Sequence, residues 1–223
     1  MDMIINTLMV NGVPQATNFF GIAAKGGFLM ILLAIISFFA VAIIIEKLIS
    51  FKRTRKNEED FLTKLYELIG KKDINQAVEY CDNTGISLAR VLGRILSHFD
   101  PGQRDSQLLL DTSVQKEVHH LERKLGTLAT FAAISPLIGF LGTVTGMVKV
   151  FMKIGETGGG VDISLLANGI WEALITTVGG LAVGIICILF YNHLVGRVES
   201  ISQEISDQAS EMLVHLRSKD HVL

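Results

Sequence analysis

The chain has 223 residues, 49% of them apolar and 19% charged, with a mean hydropathy of +0.45. A net charge of -2 gives no argument for nucleic acid or an acidic partner. Two cysteines, Cys81 and Cys187, supply no metal framework, and no bridge between them is expected. The charges are segregated: they crowd into 46–124 and the C-terminal tail, leaving apolar stretches at 26–45, 125–148 and 163–195. A bilayer needs about 20 helical residues, so all three can span.

The N-terminus is not a secretion signal, because Met1-Asp2-Met3 carries no positive charge and the apolar run before Asn11 is short. The first span is therefore expected to be retained, after a short periplasmic segment at 1–25. That span, at 26–46, is bulky and apolar all round apart from Ser37, as suits a rim facing lipid. Lys47, Lys52, Arg53, Arg55 and Lys56 follow it, against Lys25 before it. The positive-inside rule then makes the region between spans one and two cytoplasmic and the N-terminus external.

The cytoplasmic region, 47–126, reads as helices without strands. Phe61, Leu62, Leu65, Leu68 and Ile69 repeat at helical spacing, as do Ala89, Leu92, Leu96 and Phe99. Asp82-Asn83-Thr84-Gly85 and Asp100-Pro101-Gly102 mark turns. His119 and His120 have no second ligand pair at helical spacing and read as solvated surface residues rather than a metal site. From Val114 through Val118, Leu121, Leu125 and Leu128 the apolar pattern enters the second span without a breaker. This predicts one very long helix, its apolar stripe needing partners from shorter helices or neighbouring subunits.

The second span, 127–149, carries Gly139, Gly142, Thr143, Thr145 and Gly146, small or hydroxylated residues that let another helix approach. Pro136 removes a hydrogen bond there and should free the carbonyl of Ala132. A periplasmic loop at 150–164 holds Lys153 and Gly158-Gly159-Gly160; those glycines lack the strand and the lysine of a phosphate-binding motif. The third span, 165–193, has a small-residue stripe of Ala173, Thr177, Gly180 and Gly184. It continues as a cytoplasmic helix at 194–223 through Leu194, Val198, Ile201 and Ile205 towards Met212 and Leu216. The two small-residue stripes cannot both be buried within one subunit whose first span faces lipid, which predicts a ring of copies.

Glu172 is the one carboxylate in the third span. A carboxylate at membrane depth is costly and by default marks an ion or proton path. It shares a helix face with Thr176, four residues on. Thr143, Thr145, Thr176 and Thr177 are otherwise ordinary interhelical glue, and Glu172 has a structural alternative as a protonated, hydrogen-bonded packing residue. No catalytic triad, cofactor fingerprint or nucleotide loop is visible, so neither an enzyme nor a cofactor is expected.

Ser135-Pro136-Leu137-Ile138-Gly139-Phe140-Leu141-Gly142-Thr143-Val144-Thr145-Gly146-Met147, followed by Gly169-Ile170-Trp171-Glu172-Ala173-Leu174-Ile175-Thr176-Thr177-Val178-Gly179-Gly180, resembles the proton-channel family of ExbB, TolQ and MotA. The opening Gly26-Gly27-Phe28 and the exit Glu46-Lys47-Leu48 of the first span look most like the ExbB branch. The resemblance implies an all-α membrane protein assembled as a homopentamer in the bacterial inner membrane, its central pore lined by spans two and three. It further implies a single-span ExbD- or TolR-like partner in that pore and a TonB- or TolA-like transducer that carries work to the outer membrane. By motif position the pore hydroxyls are Thr143 and Thr177 and the membrane glutamate is Glu172, whereas helical spacing brings Thr176 nearest to that glutamate. Thr145 stands where many relatives carry a large residue, and Trp171 where a small one is usual. The functions to separate are an ExbB-like motor subunit, a TolQ-like subunit serving envelope integrity, and a membrane-anchored scaffold that moves no ions.

Overall fold

A computed structural model of the chain describes residues 27–55, 58–71, 73–98, 106–156 and 163–220. Among them are seven helices and no strand: α1 (Gly27–Arg55), α2 (Glu58–Gly70), α3 (Ile74–Thr84), α4 (Ser87–Ser97), α5 (Ser106–Glu122), α6 (Leu125–Glu156) and α7 (Ile163–Asp220). Three stretches are long and apolar enough to cross a membrane, Gly27–Lys52, Leu125–Glu156 and Leu166–Leu216. The N-terminal segment, Phe99, the Asp100-Pro101-Gly102 turn and Gly158-Gly159-Gly160 lie outside the described residues.

The chain divides into two compact units. The first, here the membrane unit, takes Met1–Phe39 and Phe131–Ile186, and so holds parts of α1, α6 and α7. Its surface is greasy: Phe28, Ile31 and Phe38 on α1, Leu137 and Phe140 on α6, and Leu174, Val178 and Ile185 on α7 are all exposed. Such a continuous apolar surface suits lipid or further copies of the chain. α1 is more than a rim, however. Leu33 and Ile36 are buried, and a Cβ built on Gly179 would fall 3.2 Å from Met30 Sδ, so α1 packs against α7.

The second unit, here the helical unit, takes Ala40–Thr130 and Cys187–Leu223. It has a conventional core. Phe61 and Leu65 of α2, Ala77 and Cys81 of α3, Leu110 and Val114 of α5, and Ile205, Ala209 and Met212 of α7 surround α4, which buries Leu88, Val91, Leu92 and Ile95 completely. The expected apolar stripes of α2, α4 and α7 are therefore satisfied by one another within one chain. α3 is bounded as its sequence suggests. Asp73 caps its start by accepting from Gln76 N–H at 3.1 Å, and Gly85 ends it with φ 69°, a left-handed conformation that glycine adopts without a Cβ penalty. Arg90 then ties α4 to its neighbours: Nη1 donates to Gly85 O at 2.7 Å, and Nε reaches Glu117 Oε2 at 3.0 Å. Glu117 is the buried partner, its side chain 2% exposed against 35% for Arg90.

α7 is continuous over 58 residues, as expected. The predicted continuity of α5 with the second span fails. α5 stops at Glu122, Arg123 and Lys124 form a turn, and Lys124 takes φ 74°. The cause lies on α1. Lys47 donates to Leu121 O at 2.7 Å, the carbonyl that Leu125 N–H would claim in an unbroken helix. Lys124 meanwhile reaches both oxygens of Glu46 at 2.6 Å. α6 also runs further than predicted, to Glu156, so Lys153 sits on a helix rather than in a loop.

Candidate functional site

Within the membrane unit α6 and α7 meet through missing side chains. A Cβ built on Gly180 would stand 2.5 Å from Ser135 O, and one on Gly139 would stand 3.1 Å from the Thr177 Cα. Gly142 would meet Thr176 at 2.5 Å, Gly146 would meet Ala173 Cβ at 2.7 Å, and Gly184 would meet the Pro136 ring at 2.7 Å. Pro136 stays inside an unbroken α6, and the carbonyl of Ala132 lies 3.2 Å from the Gly184 Cβ position. The two small-residue stripes thus close on each other in a single chain. This corrects the expectation that they need a second copy, and it removes that argument for a ring.

The close approach fixes the hydroxyls. Thr177 Oγ1 donates across the interface to Gly139 O at 2.8 Å. Thr143 donates to Phe140 O at 2.7 Å, Thr145 to Leu141 O at 2.9 Å, and Thr176 to Glu172 O at 2.9 Å, each within its own helix. All four hydroxyls spend a proton on backbone carbonyls and keep lone pairs with which to accept from water or a partner.

Glu172 lies one turn from Thr176 on α7. Its carboxylate Oε1 forms an ion pair with Lys149 Nζ at 3.7 Å. The same oxygen lies 2.8 Å from where a Cβ on Gly27 would stand, and Gly27 has φ 66°. The carboxylate therefore rests against the first residue of α1, where the unpaired N–H groups of a helix start favour negative charge. Glu172, Thr145, Thr176, Lys149 and Gly27 line one cavity of about 280 Å³, with Gly142 and Gly146 in its wall. Thr143 and Thr177 are not part of that lining. The arrangement is an ionisable group and two hydroxyls beside a small cavity in an otherwise apolar unit. Trp171, beside Glu172 in sequence, is exposed.

Two members of this site, Lys149 and Gly27, were not anticipated. Lys149 interrupts the apolar end of the second span, and an isolated cation there is the signal that pairs with an isolated glutamate in the third. Gly27 carries no such signal, since its role appears only once α1 is folded against α7. His119 and His120 are exposed on α5, and Cys81, outside the spans, and Cys187, in the third, are both free and buried. Burial pushes the Cys81 thiol up to about 12, with Asp82 adding to the shift.

Comparison with known proteins gives a consistent assignment. The family model for the MotA/TolQ/ExbB proton channel family matches residues 86–207. An ExbB-like protein of Synechocystis (ExbB-like 1) is 28% identical over 198 residues, covering 87% of this chain and 76% of the relative. The Tol-Pal system protein TolQ of Haemophilus influenzae is 35% identical over 102 residues, 46% of this chain and 44% of that one. The biopolymer transport protein ExbB of Salmonella typhimurium is 34% identical over 111 residues, 50% of this chain and 45% of that one. The match thus spans less than half the length of the TolQ and ExbB relatives.

Proposed function

Because the chain belongs to the MotA/TolQ/ExbB proton channel family, we propose that it is the channel subunit of an inner-membrane complex driven by proton flow rather than an enzyme. The observation that carries this reading is the site of Glu172, a carboxylate held by Lys149 and the start of α1 over a cavity with Thr145 and Thr176. In this reading the chain forms a homopentamer, with the N-terminus periplasmic and the C-terminus cytoplasmic. An ExbD- or TolR-like single-span protein occupies the ring, and a TonB- or TolA-like protein carries the work outward. The ExbB role, energising outer-membrane transport, is the preferred branch on the sequence of the first span. The TolQ role stands beside it, as the identities to the two relatives are 34% and 35%.

A non-conducting scaffold is the competing reading, and the Lys149–Glu172 pair is the observation in its favour, because an ion pair can serve packing alone. Glu172→Gln separates the two. The amide keeps the shape but cannot ionise, so cells whose only copy carries it are expected to lose energy-dependent uptake while the variant still assembles with its partner. Wild-type uptake would leave the scaffold. Each proton that crosses releases about 2.3 kcal/mol per 100 mV, so a working stroke combines several crossings.

A further inference from the structure

The helical unit carries a second charged site that the proton path does not use. Two cavities, of about 860 Å³ and about 460 Å³, share Arg90, His120 and Arg123 in their walls and so form one groove. Arg94 and Lys116 line the smaller cavity; Lys47, Lys124 and Ile49 line the larger. Two carboxylates face these cations, and both are already engaged. Glu117 is bound by Arg90, and Glu46 by Lys124. Lys116, His119 and His120 on one face of α5, with Arg123 in the turn after it, are exposed and make no hydrogen bond or ion pair among the described residues. The groove is therefore strongly cationic where it is open, with nothing in the described chain to neutralise it.

Its other wall says what kind of anion it suits. Ile49, largely exposed, lines the larger cavity and belongs to the apolar stretch Gly27–Lys52, so the groove opens beside a surface of membrane-spanning character. A soluble phosphate has no use for an apolar ledge, whereas a phospholipid places its phosphate beside cations and its glycerol and acyl carbons along just such a surface. We propose that this groove binds the headgroup phosphate of an anionic phospholipid, with Arg94, Lys116 and Arg123 as the phosphate-facing groups. Guanidinium forks suit phosphate oxygens bidentately. Arg90, in the wall of both cavities, is engaged by Glu117 and Gly85.

The test uses the full chain purified in a neutral detergent, with three probes: short-chain phosphatidylglycerol, phosphatidylcholine of the same chain length, and inorganic phosphate. Native mass spectrometry counts bound lipid and a thermal midpoint reports inorganic phosphate. Phosphatidylglycerol is expected to bind selectively. Lys116→Gln with Arg123→Gln should weaken it about 25-fold, at about fivefold for each cation removed near a phosphate surface. Both residues are exposed and unpaired, so the variant should unfold at the wild-type temperature. Lys64→Gln on α2, stacked over Tyr80, should change nothing. Equal binding of phosphatidylcholine would reduce the groove to an apolar contact, and a midpoint raised equally by inorganic phosphate would make it a soluble-anion site. Undiminished phosphatidylglycerol binding by the double variant would place the lipid elsewhere. Each of these three overturns the proposal.

Discussion

In the membrane unit the tightest approaches are between backbones, Gly180 against Ser135 and Gly139. In the helical unit the core is filled by large side chains, Phe61, Leu65, Leu92 and Met212, all essentially inaccessible. The difference follows from the two solvents. In lipid, moving an apolar side chain from acyl chains to a helix interface gains almost nothing, so association relies on close van der Waals contact and interhelical hydrogen bonds. In water, burial of apolar surface is the dominant gain, at about 25 cal/mol per Å². One chain thus contains two packing rules, and each makes its unit sensitive to the opposite kind of substitution.

Enlarging a side chain should hurt the membrane unit most. Gly180→Leu drives a side chain into the Ser135 carbonyl and the Gly139 backbone, neither of which can swing aside, and should cost more than about 3 kcal/mol. Gly155→Leu, with nothing within 4 Å, is the control. Thermal unfolding in detergent, followed through the emission of Trp171, the sole tryptophan, compares them. Equal midpoints would abolish the distinction. Truncation should hurt the helical unit next: Leu92→Ala is expected to cost about 3 kcal/mol, while Leu137→Ala, on the exposed face of α6, should cost less than about 1 kcal/mol. Denaturant titration by circular dichroism measures both, and a reversal of the order would mean that the membrane unit packs like a soluble core. Thr177→Val removes the hydrogen bond to Gly139 O and should cost about 0.6 kcal/mol, typical of a polar contact between membrane helices. A larger loss would give hydrogen bonding more weight than backbone contact there.

The smallest effect concerns Cys81, sealed in the soluble-type core. With its thiol held near 12, the raised value means that the neutral form prevails throughout the ordinary range. At pH 8 only about one thiol in ten thousand is ionised, and the thiolate is the reactive form. Cys81 should therefore resist alkylation until the unit unfolds, and then label at once. Mass spectrometry of tryptic peptides before and after denaturation checks this. Rapid native labelling would show that the core opens far more readily than its packing implies.

Periodic features were legible in the sequence because they repeat within a few residues. The stripes of α2, α4 and the end of α7 follow directly from the spacing of Phe61, Leu65 and Ile69, of Ala89, Leu92 and Leu96, and of Ile205, Met212 and Leu216. Glu172 was legible as well, being one charge in a greasy stretch. What escaped depends on distant chain segments. The break after Glu122 is made by Lys47, 74 residues from Leu121, while the local pattern of Val118, Leu121 and Leu125 argues for continuity. Gly27 and Lys149 join Glu172 only after three helices are folded together. The argument from the small-residue stripes to a ring fails for a related reason, since spacing tells that a face is small but not which face will fill it.

The turn at Arg123 and Lys124 also decides where this chain can change its length. An extra residue in an unbroken helix turns everything beyond it by about 100° and advances it by about 1.5 Å. In α7 an insertion after Val198 would swing Ile205, Ala209 and Met212 out of their core while leaving Leu194 and Val198 buried in the same unit. The same insertion between Glu122 and Leu125 meets a backbone already out of helical register, held by side chains of α1 rather than by its own ladder. Length variation should thus be absorbed at that turn, while α7 must keep its count from Leu194 to Leu216.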